Sequence, residues 1–268
     1  MPQSAQEIPV NLSHAARWVI EAGRIALDRQ RSLSWRRDVA LKGDGSPVTA
    51  IDHEVEAYLV ERIRRYHPTH RVLAEESGQQ PGTNELIWVI DPIDGTRAYA
   101  SGLPVWGVSV GVFVGAAPHA GVVHLPVPDE TYAIGPGVAT LNGKPLTPSH
   151  PVEWDHPLAF VAISSDAHRH FDIDYPRIRT MGSTVAHLIY VARSTAVGAL
   201  IRRAGLWDLA GALPLLAHCG VEIEYLGGGP FQVSPLLTGE PIREPLIVAR
   251  PENMDRLRVC LRDRRDVS

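Results

Sequence analysis

The stretch Leu-Ile-Trp-Val-Ile-Asp-Pro-Ile-Asp-Gly-Thr, residues 86–96, constrains this chain more than any other. The apolar run Leu86 to Ile90 reads as a buried strand ending on Asp91. Pro92 has no N–H for a ladder, so the strand is expected to stop there, and Gly95 lets the backbone turn sharply. Asp91 and Asp94 are thereby held together at the carboxyl end of a buried strand. Two carboxylates so close repel unless a proton or a cation lies between them. A hard divalent cation with oxygen ligands suits them, and Thr96 adds a hydroxyl nearby. The same residues also read as caps of a short helix that begins near Thr96 and binds nothing.

The flanking sequence supplies further acids at the ends of elements. Asn11 caps an amphipathic helix whose Leu12, Ala15, Ala16, Val19, Gly23, Ala26 and Leu27 share a face. Trp35 to Leu41 is a candidate strand or connection. Lys42-Gly43-Asp44-Gly45-Ser46-Pro47-Val48-Thr49 then reads as a mobile loop. A helix starts at Thr49 or just after, and Thr49-x-x-Asp52 reads as a capping box. Arg71 to Ala74 is a short strand running into Glu75 and Glu76. If it neighbours the central strand, Glu75 and Asp91 share one edge of a sheet. Residues 79–85 read as a polar loop. Strands follow over Trp106–Val114, Ala120–Val127 and Thr131–Ile134, and Asn142-Gly143 carries a hairpin signal.

Prolines 145, 148, 151 and 157 mark a boundary. The expected division is an N-terminal α+β unit, 1–148, of two helices on an antiparallel sheet, and a C-terminal α/β unit, 149–268. The second unit alternates strands over Leu158–Ile163, Ile178–Met181, Val197–Ile201, Val221–Tyr225 and Leu246–Ala249 with helices over Ser183–Arg193, Trp207–Cys219 and from Pro251. Gly182-Ser183-Thr184 opens a helix whose free amides favour an anion, or Ser183 is an ordinary N-cap. Asp208 likewise stands at a helix start, where capping is the simple reading.

Composition narrows the partners. The 268 residues are 44% hydrophobic and 21% charged, a globular balance, and the net charge of −4 gives no basic footprint for nucleic acid. No apolar run approaches the roughly 18 residues of a membrane span, and the N-terminus lacks a signal-peptide pattern. Two cysteines, Cys219 and Cys260, are too few for a disulfide framework and fit a reducing, cytoplasmic compartment. His168 and His170 have no obvious third ligand and read as a polar loop.

Taken together, Lys42-Gly-Asp-Gly-Ser-Pro-Val-Thr-Ala-Ile-Asp52, Glu75-Glu-Ser77, Asp91-Pro-Ile-Asp-Gly-Thr96 and Trp207-Asp-Leu-Ala-Gly211 resemble the inositol monophosphatase family of metal-dependent, lithium-sensitive phosphatases. The four blocks span nearly the whole chain in the family's order. The resemblance implies a layered α/β/α/β/α sandwich, a requirement for two or three Mg²⁺ ions and a homodimer. Carried over position by position, Glu75, Asp91 and the carbonyl of Ile93 would hold a first ion, and Asp91, Asp94 and Asp208 a second, with Glu75 touching a third. Asp52 and Thr96 would activate the attacking water, with Glu75 also part of the catalytic set. Gly95, Thr96, Gly182, Ser183 and Thr184 would surround a small phosphorylated metabolite. Lys42 and Asp44 would lie in a flap that orders on binding.

One departure bears on the substrate. Inositol-preferring members usually carry a Glu seven residues before the second motif's Asp, and here that position is Ile201, followed by Arg202 and Arg203. The arginines suit a second phosphate or a nucleotide, or are a solvated turn. Inositol phosphate is thus the default substrate, with 3′-phosphoadenosine 5′-phosphate, fructose 1,6-bisphosphate and histidinol phosphate as alternatives. A haloacid-dehalogenase-type phosphatase would space its acids D-x-D, unlike Asp91 and Asp94. A non-catalytic phospho-ligand-binding protein on the same fold is the alternative from another class.

Overall fold

A computed structural model describes residues 10–32, 38–43 and 45–264. Asp44 of the expected flap and residues 35–37 of the first candidate strand lie outside the described residues. The first helix, α1 (Leu12–Gln30), is capped by the Asn11 side chain, which accepts from the His14 amide. Strands β1 (Val39–Leu41) and β2 (Pro47–Thr49) form an antiparallel hairpin, so the last three residues of the stretch read as loop are strand, drawn in by the ladder to β1. Helix α2 (Ala50–Tyr66) starts on the Thr49–Asp52 capping box expected from the sequence.

Among the described residues, eight strands make a large sheet: β3 (Arg71–Ala74), β4 (Gly78–Gln80), β5 (Leu86–Asp94), β6 (Gly107–Val114), β7 (Ala117–Leu125), β8 (Glu130–Gly135), β9 (Val138–Leu141) and β10 (Lys144–Pro145). Their order is β10-β9-β8-β7-β6-β5-β3-β4, antiparallel except for the pair β3–β5. Strand β4 is a correction, because residues 79–85 read as loop. Its Gly-Gln-Gln is too polar to signal a strand, and the ladder to β3 at the sheet edge makes it one.

Helix α3 (Thr96–Ala100) follows β5. After it come β11 (Val161–Ile163), β12 (Phe171–Ile173), β13 (Ile178–Arg179), α4 (Thr184–Ala192), β14 (Gly198–Ile201), α5 (Trp207–Ala210), α6 (Leu213–His218), β15 (Glu222–Tyr225), β16 (Leu246–Ala249), α7 (Pro251–Cys260) and β17 (Leu261–Asp263). A second sheet runs β13-β11-β14-β16-β15, and β12 pairs with β17. The single helix expected over Trp207–Cys219 is two. The chain bends at Gly211 and Ala212 because the segment lies directly on the large sheet and Pro214 begins a fresh first turn.

Side-chain alternation shows the layers. On β5, Trp88 and Ile90 pack with Val19, Ala22, Val55 and Leu59 of α1 and α2. Ile87 and Val89 point the other way, into a core shared with Leu188, Leu209 and Leu215 of α4, α5 and α6. Ile201 and Val248 of the second sheet enter that same core, whereas Leu200 and Ile247 face Leu257 of α7. The architecture is α/β/α/β/α, as the sequence resemblance implied. Buried on both faces, β5 explains why its sequence is an unbroken apolar run rather than an alternating one.

Candidate metal centre

The site grows out of an irregularity in β5. Contrary to expectation, the strand does not stop at Pro92. It continues to Asp94 through a bulge, in which Asp91 pairs with Ser109 and Asp94 with Gly107. A bulge asks no ladder bond of the proline, so Pro92 is accommodated. The extra residue also resets the side-chain alternation. Residues 91 and 94 would otherwise face opposite sides, but their partners 109 and 107 are two apart, so both carboxylates face the middle layer.

Neighbouring elements bring the other acids to the same place. Strand β3 is parallel to β5, and the Glu75 amide donates to the Ile90 carbonyl at 3.2 Å. Glu75 and Asp91 therefore leave adjacent strand ends on one edge, as the sequence suggested. The buried Glu56 carboxylate accepts from the amides of Glu76 and Ser77 and fixes the turn. Asp208 arrives on α5, which packs on β6 and β7 where side chains are absent. A Cβ at Gly121 would lie 2.2 Å from the Gly211 carbonyl oxygen.

One carboxylate oxygen each from Asp91, Asp94 and Asp208 lies within 4.8 Å of the others. Asp91 is 1% exposed, and neither of its oxygens has a hydrogen-bond partner among the described residues. A buried carboxylate with nothing bound to it costs several kcal/mol, of order 3–5, unless a cation or proton completes it. Burial, with the charges of Glu75, Asp94 and Asp208, holds the Asp91 carboxyl well above its ordinary range. Burial and Asp94 push Asp208 up to about 7. Burial and Asp208 push Glu75 up to about 8, against the pull of Lys42. An all-oxygen, multiply acidic donor set of this kind fits Mg²⁺ or another hard divalent cation.

Glu75, Ile93, Gly95, Thr96, Gly182, Ser183 and Thr184 help to line a cavity of about 580 Å³ beside the cluster, and Asp52 stands behind it, reached through Thr96. Asp52 accepts from the Thr49 amide at 2.8 Å and from the Thr49 hydroxyl at 2.6 Å. Its other oxygen lies 3.2 Å from the Thr96 hydroxyl, which also reaches the Ile93 carbonyl at 3.1 Å. Gly95 has φ 91° and Gly182 comes close beneath it: a Cβ on Gly95 would stand 2.7 Å from the Gly182 oxygen. This pairing admits only glycine at position 95.

Two features differ from the simplest reading. The first amides of α4 are not free, because Asp94 accepts from Thr184 at 3.1 Å, from Val185 at 3.0 Å and from the Ser183 hydroxyl. These bonds oppose the burial that pushes Asp94 up to about 7. Ser183 in turn caps the Ala186 amide. Glu75 is not within the Asp91–Asp94–Asp208 trio; its Oε1 accepts from the Lys42 ammonium at 2.7 Å, which bridges to Glu76. The hairpin carrying Lys42 is tied to α3 by Arg97, which donates to the Gly45 carbonyl.

Sequence reasoning missed His187. It is 2% exposed, accepts from the Met181 amide through Nε2 and holds the turn before Gly182, with its pKa pushed down to about 4 by burial. Its position four residues after Ser183, on the cavity side of α4, was the available signal.

A sequence model of the inositol monophosphatase family matches residues 11–258. The chain belongs to that family. Its relatives include an inositol-1-monophosphatase from Synechocystis, 32% identical over 202 residues, covering 71% of this chain and 70% of that one. The Nus factor SuhB of Pasteurella multocida is 30% identical over 249 residues, covering 85% and 90%. Among solved structures, the Thermotoga maritima IMPase superposes with a TM-score of 0.77 at 23% identity, over 93% of this chain and 95% of that one. As an inositol monophosphatase family member the chain is a phosphomonoesterase of a metal-dependent family, and the acid cluster lies where its sequence motifs converge. No helix among the described residues is long and apolar enough to cross a membrane.

Proposed function

We propose that this chain hydrolyses the phosphate monoester of a small metabolite, inositol phosphate-like, by attack of an activated water, with two or three Mg²⁺ ions. The observation that carries the reading is Asp91: a buried carboxylate with both oxygens unpartnered among the described residues, beside Asp94 and Asp208. Glu75, Asp91, the Ile93 carbonyl, Asp94 and Asp208 would hold the ions. When bound, divalent cations neutralise phosphoryl oxygens and lower the pKa of a coordinated water.

The protein's own residues prepare the proton transfer and the leaving-group pocket. Asp52 is fixed by Thr49 and can take the Thr96 hydroxyl proton as its hydrogen bond. The Thr96 oxygen is then turned to accept a proton from water, which makes the Asp52–Thr96 pair the general base. Gly95 and Gly182 keep side chains out of the space beside Thr96, so an ester phosphate can approach the backbone. Asp94 ties the start of α4 to the acid cluster, so the rim formed by Gly182, Ser183 and Thr184 is rigidly placed against it.

A cytoplasmic homodimer is part of the proposal. It rests on the family and on two free, buried thiols, Cys219 and Cys260. A relative named as a Nus factor raises a role in transcription as a second reading. The acid cluster favours hydrolysis, and the net charge of −4 offers RNA no electrostatic footprint.

The test is release of inorganic phosphate from inositol 1-phosphate, 3′-phosphoadenosine 5′-phosphate, fructose 1,6-bisphosphate and histidinol phosphate. Mg²⁺-dependent release from at least one is expected. Release from none above the metal-free background would leave the enzymatic reading without support.

A further inference from the structure

The cavity has two chemically different ends. One is the acid cluster. The other is walled by Arg202 and Arg203 together with the loop of Ser164, Ser165 and Asp166. The residue before the arginines, Ile201, is 0% exposed and packs into the middle core, so it takes no part in the cavity. At this end the chain therefore offers the substrate guanidinium groups, which donate five hydrogen bonds each and accept none.

The two arginines are held differently. Arg202 is ion-paired with Asp166 through one terminal nitrogen, and its backbone amide donates to the Ser164 hydroxyl at 3.2 Å. Its Nε is buried and has no hydrogen-bond partner among the described residues. Arg203 is exposed and makes no ion pair or hydrogen bond with another described residue. With two guanidiniums against one carboxylate, the wall carries a net positive charge. Ser164, Ser165 and Asp166 supply acceptors at this end, but the two guanidiniums supply only donors and bring more positive charge than Asp166 offsets. An anion meets the requirement of both arginines at once: planar, bidentate and charge-assisted.

Resting on the phosphatase reading above, we propose that Arg203, steadied by the neighbouring Arg202–Asp166 pair, is a specificity-determining residue. In this view the natural substrate carries a second anionic group, a phosphate or a carboxylate, away from the ester that is cleaved. Thr96 and both arginines line the same cavity of about 580 Å³, so a single molecule bound there can meet both. Esters without a second anionic group bind at the acid end alone and lose the contact with Arg203.

Steady-state kinetics on matched pairs test this. Fructose 1-phosphate is compared with fructose 1,6-bisphosphate, and adenosine 3′-phosphate with adenosine 3′,5′-bisphosphate. Glycerol 3-phosphate against 3-phosphoglycerate forms the carboxylate arm. In at least one pair the second anion should raise kcat/KM about tenfold or more, the scale of one charge-assisted contact. The pair in which it does so identifies phosphate or carboxylate. Arg203→Ala should reduce that ratio about tenfold, chiefly through KM, and Arg203→Lys should keep part of it by retaining charge without the fork. Arg203 is exposed and unpaired, so its truncation leaves no buried group stranded, and circular dichroism checks that both variants fold. Ratios near one in every wild-type pair, or a ratio unmoved in Arg203→Ala, overturn the inference while leaving the phosphatase reading intact. No Mg²⁺-dependent turnover of any compound overturns both.

Discussion

Asp52 and Asp91 are buried to the same degree and treated in opposite ways. Asp52, 0% exposed, accepts from the Thr49 amide and hydroxyl and faces the Thr96 hydroxyl. Asp91, 1% exposed, accepts from nothing among the described residues. Burial raises the pKa of both, but at Asp52 the hydrogen bonds pull back, whereas at Asp91 four further acids, Glu75, Asp94, Asp208 and Asp52 itself, add to the rise. The fold thus completes one acid internally and leaves the other for a partner from outside. Burial alone does not distinguish Asp91 from Asp52; the hydrogen bonds that Asp91 lacks among the described residues do.

The largest test of this contrast is Asp91→Asn. Asn cannot ionise, so above the pH at which the acid cluster loses its protons the metal-free protein should melt at a higher temperature than wild type, while turnover falls by about 10³-fold or more, on the scale of losing a metal's charge stabilisation. A drop in both stability and turnover would mean that the Asp91 carboxylate is held by contacts within the protein. Thr96→Ala should come next. Losing the general-base relay should lower kcat by about 10²-fold or more with little change in Mg²⁺ affinity, and Thr96→Ser should restore much of it. Calorimetric Mg²⁺ titration of the variants separates the two effects.

The close docking of α5 offers a smaller perturbation. Gly121→Ala should push on the Gly211 carbonyl, displace Asp208 and cost about 1–3 kcal/mol of stability, measured by denaturant unfolding. Its Mg²⁺ affinity should fall, although no ligand is mutated.

Asp52→Asn should show the opposite sign to Asp91→Asn in the metal-free protein. It breaks the α2 capping box and should lower stability by about 1 kcal/mol.

The pH dependence follows from the same acids. Asp94 and Asp208 are raised to about 7 and Glu75 to about 8, far above their unfolded values. Between those limits the metal-free native state binds more protons than the unfolded chain, so its stability is greatest at low pH and declines as pH rises through 7–8. Metal must displace those protons, so Mg²⁺ affinity should rise over the same window. Thermal melts at pH 6 and 8, with and without Mg²⁺, should show the larger metal-induced gain at pH 8. An equal gain at both would break the link between the raised acids and the cation.

Much of this was legible in the sequence, and for a local reason. The apolar run of β5, the Thr49–Asp52 box, the Asn11 cap and Pro251 at the start of α7 each depend on neighbours within a few residues. Glu75 and Asp91 sharing a sheet edge could be stated as a condition and needed only strand adjacency. What was not legible depends on partners far along the chain. The bulge that carries β5 past Pro92 is defined by its register with β6. The edge strand β4 exists through its ladder with β3, not through its composition. The sequence offers Asp94 as a ligand and the amides of α4 as an anion site, but only the packing of α4 against β5 reveals that these two features bind each other. Arg202 and Arg203 read either as partners of a second phosphate or as a solvated turn, and only the fold shows that both line the cavity.

The most direct measurement is a crystal structure of the wild-type protein soaked in Mn²⁺, with anomalous scattering to locate the ion. A Mn²⁺ bound to an Asp91 oxygen and shared with Asp94 or Asp208 is expected. An acid cluster that stays free of metal at saturating Mn²⁺, with Asp91 still unpartnered, would contradict it.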